Sequence, residues 1–282
     1  MAVIDSSTVL PRSYLFVPGS RSERFAKALA SGADAVIIDL EDAVAESEKN
    51  SARQSLVAWL QADAPVYVRI NAYGTAWYED DVTALGRHPG VAGLVVPKAC
   101  DPLQLESLSK RCRPGLALLP IIESAAGFAV MGELAQAPNV QRLMFGTIDF
   151  QVDLGTQLSE QELSIFRGQF ALASRLASIA SPVDGVTTVL DDETVLEHAA
   201  RQSRRYGFGA KLCIHPRQVS AVHAGFRASP SECDWAHRVL KAADTSGGEA
   251  TVVDGEMVDV PVILRARAIL HSQGQLTDEV FQ

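Results

Sequence analysis

The sequence has no apolar run long enough to cross a bilayer. Its longest, such as residues 115–122, fall far short of the roughly 20 residues that a span requires, and no basic segment followed by an apolar stretch opens the chain. Cysteine is scarce. The four thiols at positions 100, 112, 213 and 233 form no CxxC and no zinc-like pairing with histidine, so they read as reduced and mostly structural. Basic charge is in deficit, with 25 Lys and Arg against 34 Asp and Glu and a formal charge of -9. Such a field repels phosphate polymers and anionic lipid, which excludes nucleic acid and membrane surfaces as partners. No GxGxxG, GxxxxGK[ST] or GxSxG pattern occurs, so a Rossmann site, a P-loop and a serine-nucleophile elbow lack support. Repeats and low-complexity tracts are also missing. These absences leave a soluble, cytoplasmic protein as the expectation.

What is present is apolar and alternating. Hydrophobic residues make up 47% of 282, ample for a large core. Eight short runs rich in β-branched residues, at 14–17, 35–39, 66–70, 93–96, 116–122, 142–145, 180–184 and 210–214, are each followed by a polar turn and a helix-period segment. Their ends lie roughly 28 residues apart, close to the ~30 residues of one βαβ unit. The pattern predicts an α/β fold, a TIM (β/α)8 barrel, over residues 1–244. Ser20 or Ser22 is expected to cap a helix over 23–31 that Gly32 stops, and Asp101-Pro102 opens another. After a break at Thr245-Ser-Gly-Gly, residues 245–282 read as a C-terminal hairpin and helix that folds over its own barrel or over a neighbour's.

In such a barrel the chemistry lies at the C-terminal ends of the strands. Glu123 follows the fifth run and Asp149 the sixth, so the two carboxylates can converge on one hard cation, best magnesium. They can equally be helix N-terminal acids. Ile38-Asp-Leu-Glu-Asp42 crowds three acids together, including Glu41 and Asp42, which serve either as helix caps or as supports for metal-bound water or a nearby arginine. Arg69 has the parity of the face opposite Val68 and Ile70, so it needs an anion there. That anion is a structural acid such as Glu41 or Asp42, or a substrate carboxylate or enolate oxygen. Arg21, Arg24 and Lys27 follow Pro18-Gly19-Ser20 and read either as a solvated helix face or as a phosphate site. His215 is read as a loop-fixing residue rather than a base.

Arg12-Ser-Tyr-Leu-Phe-Val-Pro-Gly-Ser20, Ile38-Asp-Leu-Glu-Asp42, Val68-Arg-Ile-Asn71, Val96-Pro-Lys98, Ile122-Glu-Ser-Ala-Ala-Gly127, Gly146-Thr-Ile-Asp149, Pro182-Val-Asp-Gly185 and Lys211-Leu-Cys-Ile-His-Pro216 occur in that order. Together they resemble the citrate lyase β-subunit-like proteins of the HpcH/HpaI aldolase superfamily. The resemblance implies a magnesium-dependent lyase acting on citryl-CoA, malyl-CoA or citramalyl-CoA, with an acyl-CoA and an α-keto acid as partners. It makes Glu123 and Asp149 metal ligands and Arg69 the oxyanion partner, with Glu41 and Asp42 beside it among the catalytic candidates. Arg21 and Lys27 become candidates for the phosphates of coenzyme A. Gly255-Glu-Met-Val-Asp259 resembles the family's C-terminal motif, which implies that Asp259 is an acid–base group, commonly supplied by an adjacent subunit of a homotrimer; without the family it reads as an N-cap. Other readings stay open: a citrate lyase complex subunit working on an acyl-carrier-protein thioester, a CoA-independent metal-dependent aldolase, and a non-catalytic binding relative.

Overall fold

The computed structural model describes residues 10–247 and 249–273. Its packing divides the chain into two units, with the boundary in the sequence between Phe226 and Arg227. In the first, eight parallel strands close into a barrel in sequence order: β1 (Ser13–Pro18), β2 (Ala35–Asp39), β3 (Val66–Arg69), β4 (Val91–Val96), β5 (Ala117–Ile122), β6 (Met144–Phe145), β7 (Val183–Asp184) and β8 (Ala210–Cys213). All eight lie on the expected runs.

Both faces of these strands are buried, which is why they read as nearly continuous apolar runs. Tyr14, Ile37, Val95, Leu119, Met144 and Leu212 fill the barrel interior, while Leu15, Ile38, Val68, Leu94 and Phe145 belong to a larger cluster shared with the surrounding helices. β6 and β7 are shorter than the sequence suggests. Pro182 has no N–H for the ladder, so pairing starts at Val183, whose amide donates to Leu143 O. The Arg142 guanidinium is drawn to the carbonyls of Ser181 and Pro11 at 2.6 and 2.7 Å, a structural task at the start of β6.

The expected helix over 23–31 is a 3-10 turn (Ser22–Arg24) followed by α1 (Phe25–Leu29), and neither Ser20 nor Ser22 caps it. Backbone groups close this corner instead: Arg21 N donates to Pro18 O, and Gly19 N donates to Asp39 O at 2.7 Å. Gly32 does take the left-handed conformation, at φ +84°, and Asp101 caps its helix by accepting from Leu103 N.

The second unit begins with α11 (Pro230–Thr245), counting the helices in chain order, which is opened by a capping box between Ser229 and Glu232. It continues with the hairpin β9 (Thr251–Val253) and β10 (Glu256–Val258), and ends with α12 (Val260–His271). Asp254 and Gly255, both at positive φ, make the two-residue turn that suits a hairpin. Ala236, Val239 and Ala243 of α11 pack with Val258, Ile263, Ala266 and Leu270. That shared core places α11 with the hairpin, whereas the break at 245 suggested that it belonged to the barrel. Among the described residues no helix is long and apolar enough to cross a membrane, and all four cysteines are free.

One buried ion cluster ties the last two strands to the helices. Asp184 accepts from Arg167 Nε at 3.0 Å, Lys211 Nζ at 3.2 Å and Ser203 Oγ at 2.5 Å, and Lys211 also donates to Gly185 O. Burial disfavours the Asp184 charge, but Lys211 and Arg167 outweigh it and hold the carboxyl below its usual range. Removing one member strands the others' charge in the core. Asp184→Ala is therefore expected to cost about 3–5 kcal/mol, read as a lowered urea midpoint; an unchanged midpoint would show that the cluster contributes nothing.

Candidate active site

The C-terminal ends of the strands surround a cavity of about 420 Å³. Arg69, Glu123, Asp149 and Asp42 all line it, together with Asp39 and a set of apolar side chains.

Its geometry starts from a register pair. Asp39 at the end of β2 lies opposite Arg69 at the end of β3, which sets the carboxylate beside the guanidinium. Arg69 donates from Nε to Oδ1 at 2.7 Å and from Nη2 to Oδ2 at 2.6 Å, a two-point fork. Asp39 is itself fixed by the amides of Glu41 and Ala43, which donate at 2.8 and 3.1 Å. The guanidinium carbon lies over the Phe16 ring, 4.9 Å from its centroid. Burial works against this charge, but the bonds to Asp39 and the nearby carboxylates of Glu41 and Asp42 prevail and raise the arginine's proton affinity above its ordinary value.

Glu41 is buried and Asp42 is exposed. Glu41 Oε2 lies 3.2 Å from Arg69 Nη1, a charge contact without hydrogen-bond alignment, and its Oε1 accepts from Lys98 Nζ at 2.7 Å. Asp42 stands farther off, 3.7 Å from Arg69 and 3.8 Å from Lys98. The buried Lys49 donates to the carbonyls of Leu40 and Glu41 and so fixes the loop that carries both acids.

Lys98, just past β4, connects this group to Glu123. Its backbone is left-handed, at φ 52°, a conformation unusual for a side chain of this kind. The turned backbone aims Lys98 N at Glu123 Oε1, to which it donates at 2.6 Å. Glu123 Oε2 accepts no hydrogen bond among the described residues. A Cβ on Gly146 would stand 2.8 Å from that oxygen, so only glycine fits beside it. Burial first, then the charges of Glu41 and Asp149, push the Glu123 carboxyl up to about 7 against the Lys98 amide. Asp149 lies exposed in the first turn of α7 (Thr147–Asp153), directly after β6.

A half-satisfied, buried carboxylate beside a second one, with no nitrogen or sulfur donor joining them, fits a hard divalent cation. Among the described residues no third acid, histidine or cysteine completes a cage. The remaining positions are thus left for water and substrate oxygens, as magnesium favours.

The other candidates of the first unit do not line this cavity. Arg21 is exposed and pairs with Glu23 at 3.2 Å, while Lys27, with Arg24 and His215, lines a neighbouring groove of about 360 Å³. His215 Nδ1 accepts from Arg217 N at 3.2 Å, a contact within its own loop. Asp259, in the second unit, caps α12 by accepting from Val262 N at 3.4 Å. Sequence reasoning missed Asp39 and Lys98 as working residues. Both stood inside quoted motifs, but their partners are 30 and 57 residues away or lie on the backbone.

A family model described as HpcH/HpaI aldolase/citrate lyase matches residues 12–216. A citrate lyase subunit beta-like protein of Deinococcus radiodurans is 36% identical, over 95% of this chain and 99% of the relative. A (3S)-malyl-CoA thioesterase of Cereibacter sphaeroides is 34% identical, over 92% and 93%. Among solved structures, protein CitE from Mycobacterium tuberculosis in complex with magnesium, acetoacetate and coenzyme A superposes with a TM-score of 0.83 at 34% identity, covering 93% of this chain and 98% of the other.

If Glu123 is to hold a cation it must first lose its proton, so metal and proton would compete there. Raising its folded pKa to about 7 means that its contribution to metal-free stability falls as pH rises from the usual carboxylate range to that value. Magnesium affinity, measured by isothermal titration, is expected to weaken as pH falls below about 7, approaching tenfold per unit. An affinity flat from roughly pH 5.5 to 8 would remove Glu123 from the metal site.

Proposed function

The chain belongs to the HpcH/HpaI aldolase/citrate lyase family, and from that premise we propose that it is a magnesium-dependent carbon–carbon lyase. It cleaves a 3-hydroxyacyl-CoA such as citryl-, malyl- or citramalyl-CoA into an acyl-CoA and an α-keto acid, or forms the thioester in reverse. One observation carries this reading: a single cavity brings together two carboxylates, one of them buried and bonded through a single oxygen, and one arginine locked in place by a fork.

Glu123 and Asp149 hold the metal. When bound, magnesium supplies the Lewis acid that favours ionisation of the substrate hydroxyl and draws charge from the breaking bond. Arg69 stabilises the thioester enolate oxygen with N–H groups that the Asp39 fork does not use. Because Asp39 fixes the guanidinium beforehand, little reorganisation is needed as negative charge develops. Glu41 and Asp42 keep the charge around Arg69 balanced. Asp259 delivers a proton to the enolate carbon and removes it in condensation, acting from an adjacent subunit of a homotrimer. Arg21 and Lys27 take the phosphates of coenzyme A. The protein works in the cytoplasm, where its four free thiols stay reduced.

The thioesterase relative favours a second reading, hydrolysis of the thioester in the same cavity. Released α-keto acid distinguishes cleavage of the carbon–carbon bond from hydrolysis, which releases free CoA thiol without it.

In a magnesium-dependent assay on these thioesters, Glu123→Ala, Asp149→Ala and Arg69→Ala are each expected to lower turnover by roughly 10² or more. Wild-type rates in all three would place the chemistry elsewhere. Light scattering is expected to give the mass of three chains; the mass of one chain would require Asp259 to act within its own subunit.

A further inference from the structure

The cavity wall is chemically lopsided. Among the described residues its titratable groups are Asp39, Asp42, Glu123 and Asp149 against a single cation, Arg69. The fork to Asp39 and the flanking Glu41 and Asp42 already offset that cation, which leaves N–H groups for one oxyanion. Lys98 is not part of the wall, and its ammonium is bound to Glu41 and lies beside Asp42. Apart from the buried Thr147, the rest of the lining carries no polar side chain and includes Ile121, Phe145, Ile148, Val186, Leu212 and Ile214. Ile148 and Ile214 are 46% and 44% exposed, large hydrocarbon surfaces left uncovered around a site built for charge. Ile148 also sits between Thr147 and the metal candidate Asp149, on the first turn of α7.

An α-keto acid brings one carboxylate and one carbonyl, which a cation held by Glu123 and Asp149 would accommodate, while Arg69 keeps its N–H groups for the enolate oxygen. A second carboxylate would find no cation in this wall. It would lie against isoleucine and among like charges, desolvated and unpaired. An apolar substituent would instead cover the exposed isoleucines and gain from leaving water. From these observations we infer that the keto-acid half of the substrate carries one carboxylate and an apolar substituent, and that Ile148 is the residue that selects it. The inference rests on the lyase reading for the identity of the reaction, and on the wall alone for the identity of the ligand.

The test has two arms on the magnesium-loaded full chain. Isothermal titration compares 2-oxobutyrate with oxaloacetate, which differ by a methyl against a carboxylate. Kinetics compare citramalyl-CoA with citryl-CoA, which differ by a methyl against a carboxymethyl group. The wild type is expected to bind 2-oxobutyrate at least ~10-fold tighter and to favour citramalyl-CoA by a similar factor in kcat/KM. Ile148→Lys is expected to narrow or reverse both preferences by giving the second carboxylate a partner. Binding preference without cleavage of either thioester would defeat the lyase reading and leave the wall assignment standing. Oxaloacetate bound as tightly as 2-oxobutyrate by the wild type would overturn the inference, whether or not the lysine variant folds.

Discussion

The fork between Asp39 and Arg69 is the contact on which the site is built. A guanidinium inside a barrel is costly unless an anion shares its environment, and here the anion comes from the neighbouring strand in register. Two parallel hydrogen bonds fix the plane of the arginine, and the Phe16 ring closes one of its faces. Its remaining N–H groups are thereby aimed before any substrate arrives. This kind of preorganisation lets a buried charge stabilise an oxyanion without first rearranging.

From that fork a chain of contacts runs around half the barrel. Arg69 on β3 touches Glu41 beyond β2, Glu41 accepts from Lys98 beyond β4, and Lys98 N donates to Glu123 beyond β5. Each link joins residues from neighbouring or next-neighbouring strands, so the closed strand order determines which charges meet. The chain ends in a carboxylate with an open oxygen facing Gly146, near Asp149 at the next strand end. A second ion cluster, on β7 and β8, uses the same residue types to a different end. Asp184 has both oxygens occupied by Arg167, Lys211 and Ser203, and nothing in it is left to bind a ligand. Satisfaction separates the two clusters: the saturated one holds the fold together, while the half-satisfied one has capacity left for a cation.

Much of the site was legible because the barrel turns sequence order into spatial order. Glu123 and Asp149 could be assigned to one end of the barrel from run endings alone, and the parity of Arg69 placed it on the face opposite Val68 and Ile70 before any partner was known. Asp39 and Lys98 were not legible in this way. Asp39 reads as one of three crowded acids until the register with β3 singles it out. Lys98 acts partly through its backbone amide, whose direction depends on a left-handed φ that no residue type in this stretch announces. The corner at 18–25 misled for a related reason: the serines there are good caps by type, but the backbone carbonyls of the turn took the amides first.

The sequence by itself determined the eight strands, their order and the end of the barrel where the chemistry lies, because apolar periodicity and run spacing are local properties that every residue reports. It also supplied the donor chemistry of the proposed metal site, since two acids without histidine or cysteine suit a hard cation whatever their geometry. Only the tertiary structure decided which acid holds the arginine, which carboxylate stays open and where the shared core divides the chain. Those outcomes depend on register, on burial and on contacts spanning tens of residues, and a linear pattern carries no record of which distant groups satisfy one another.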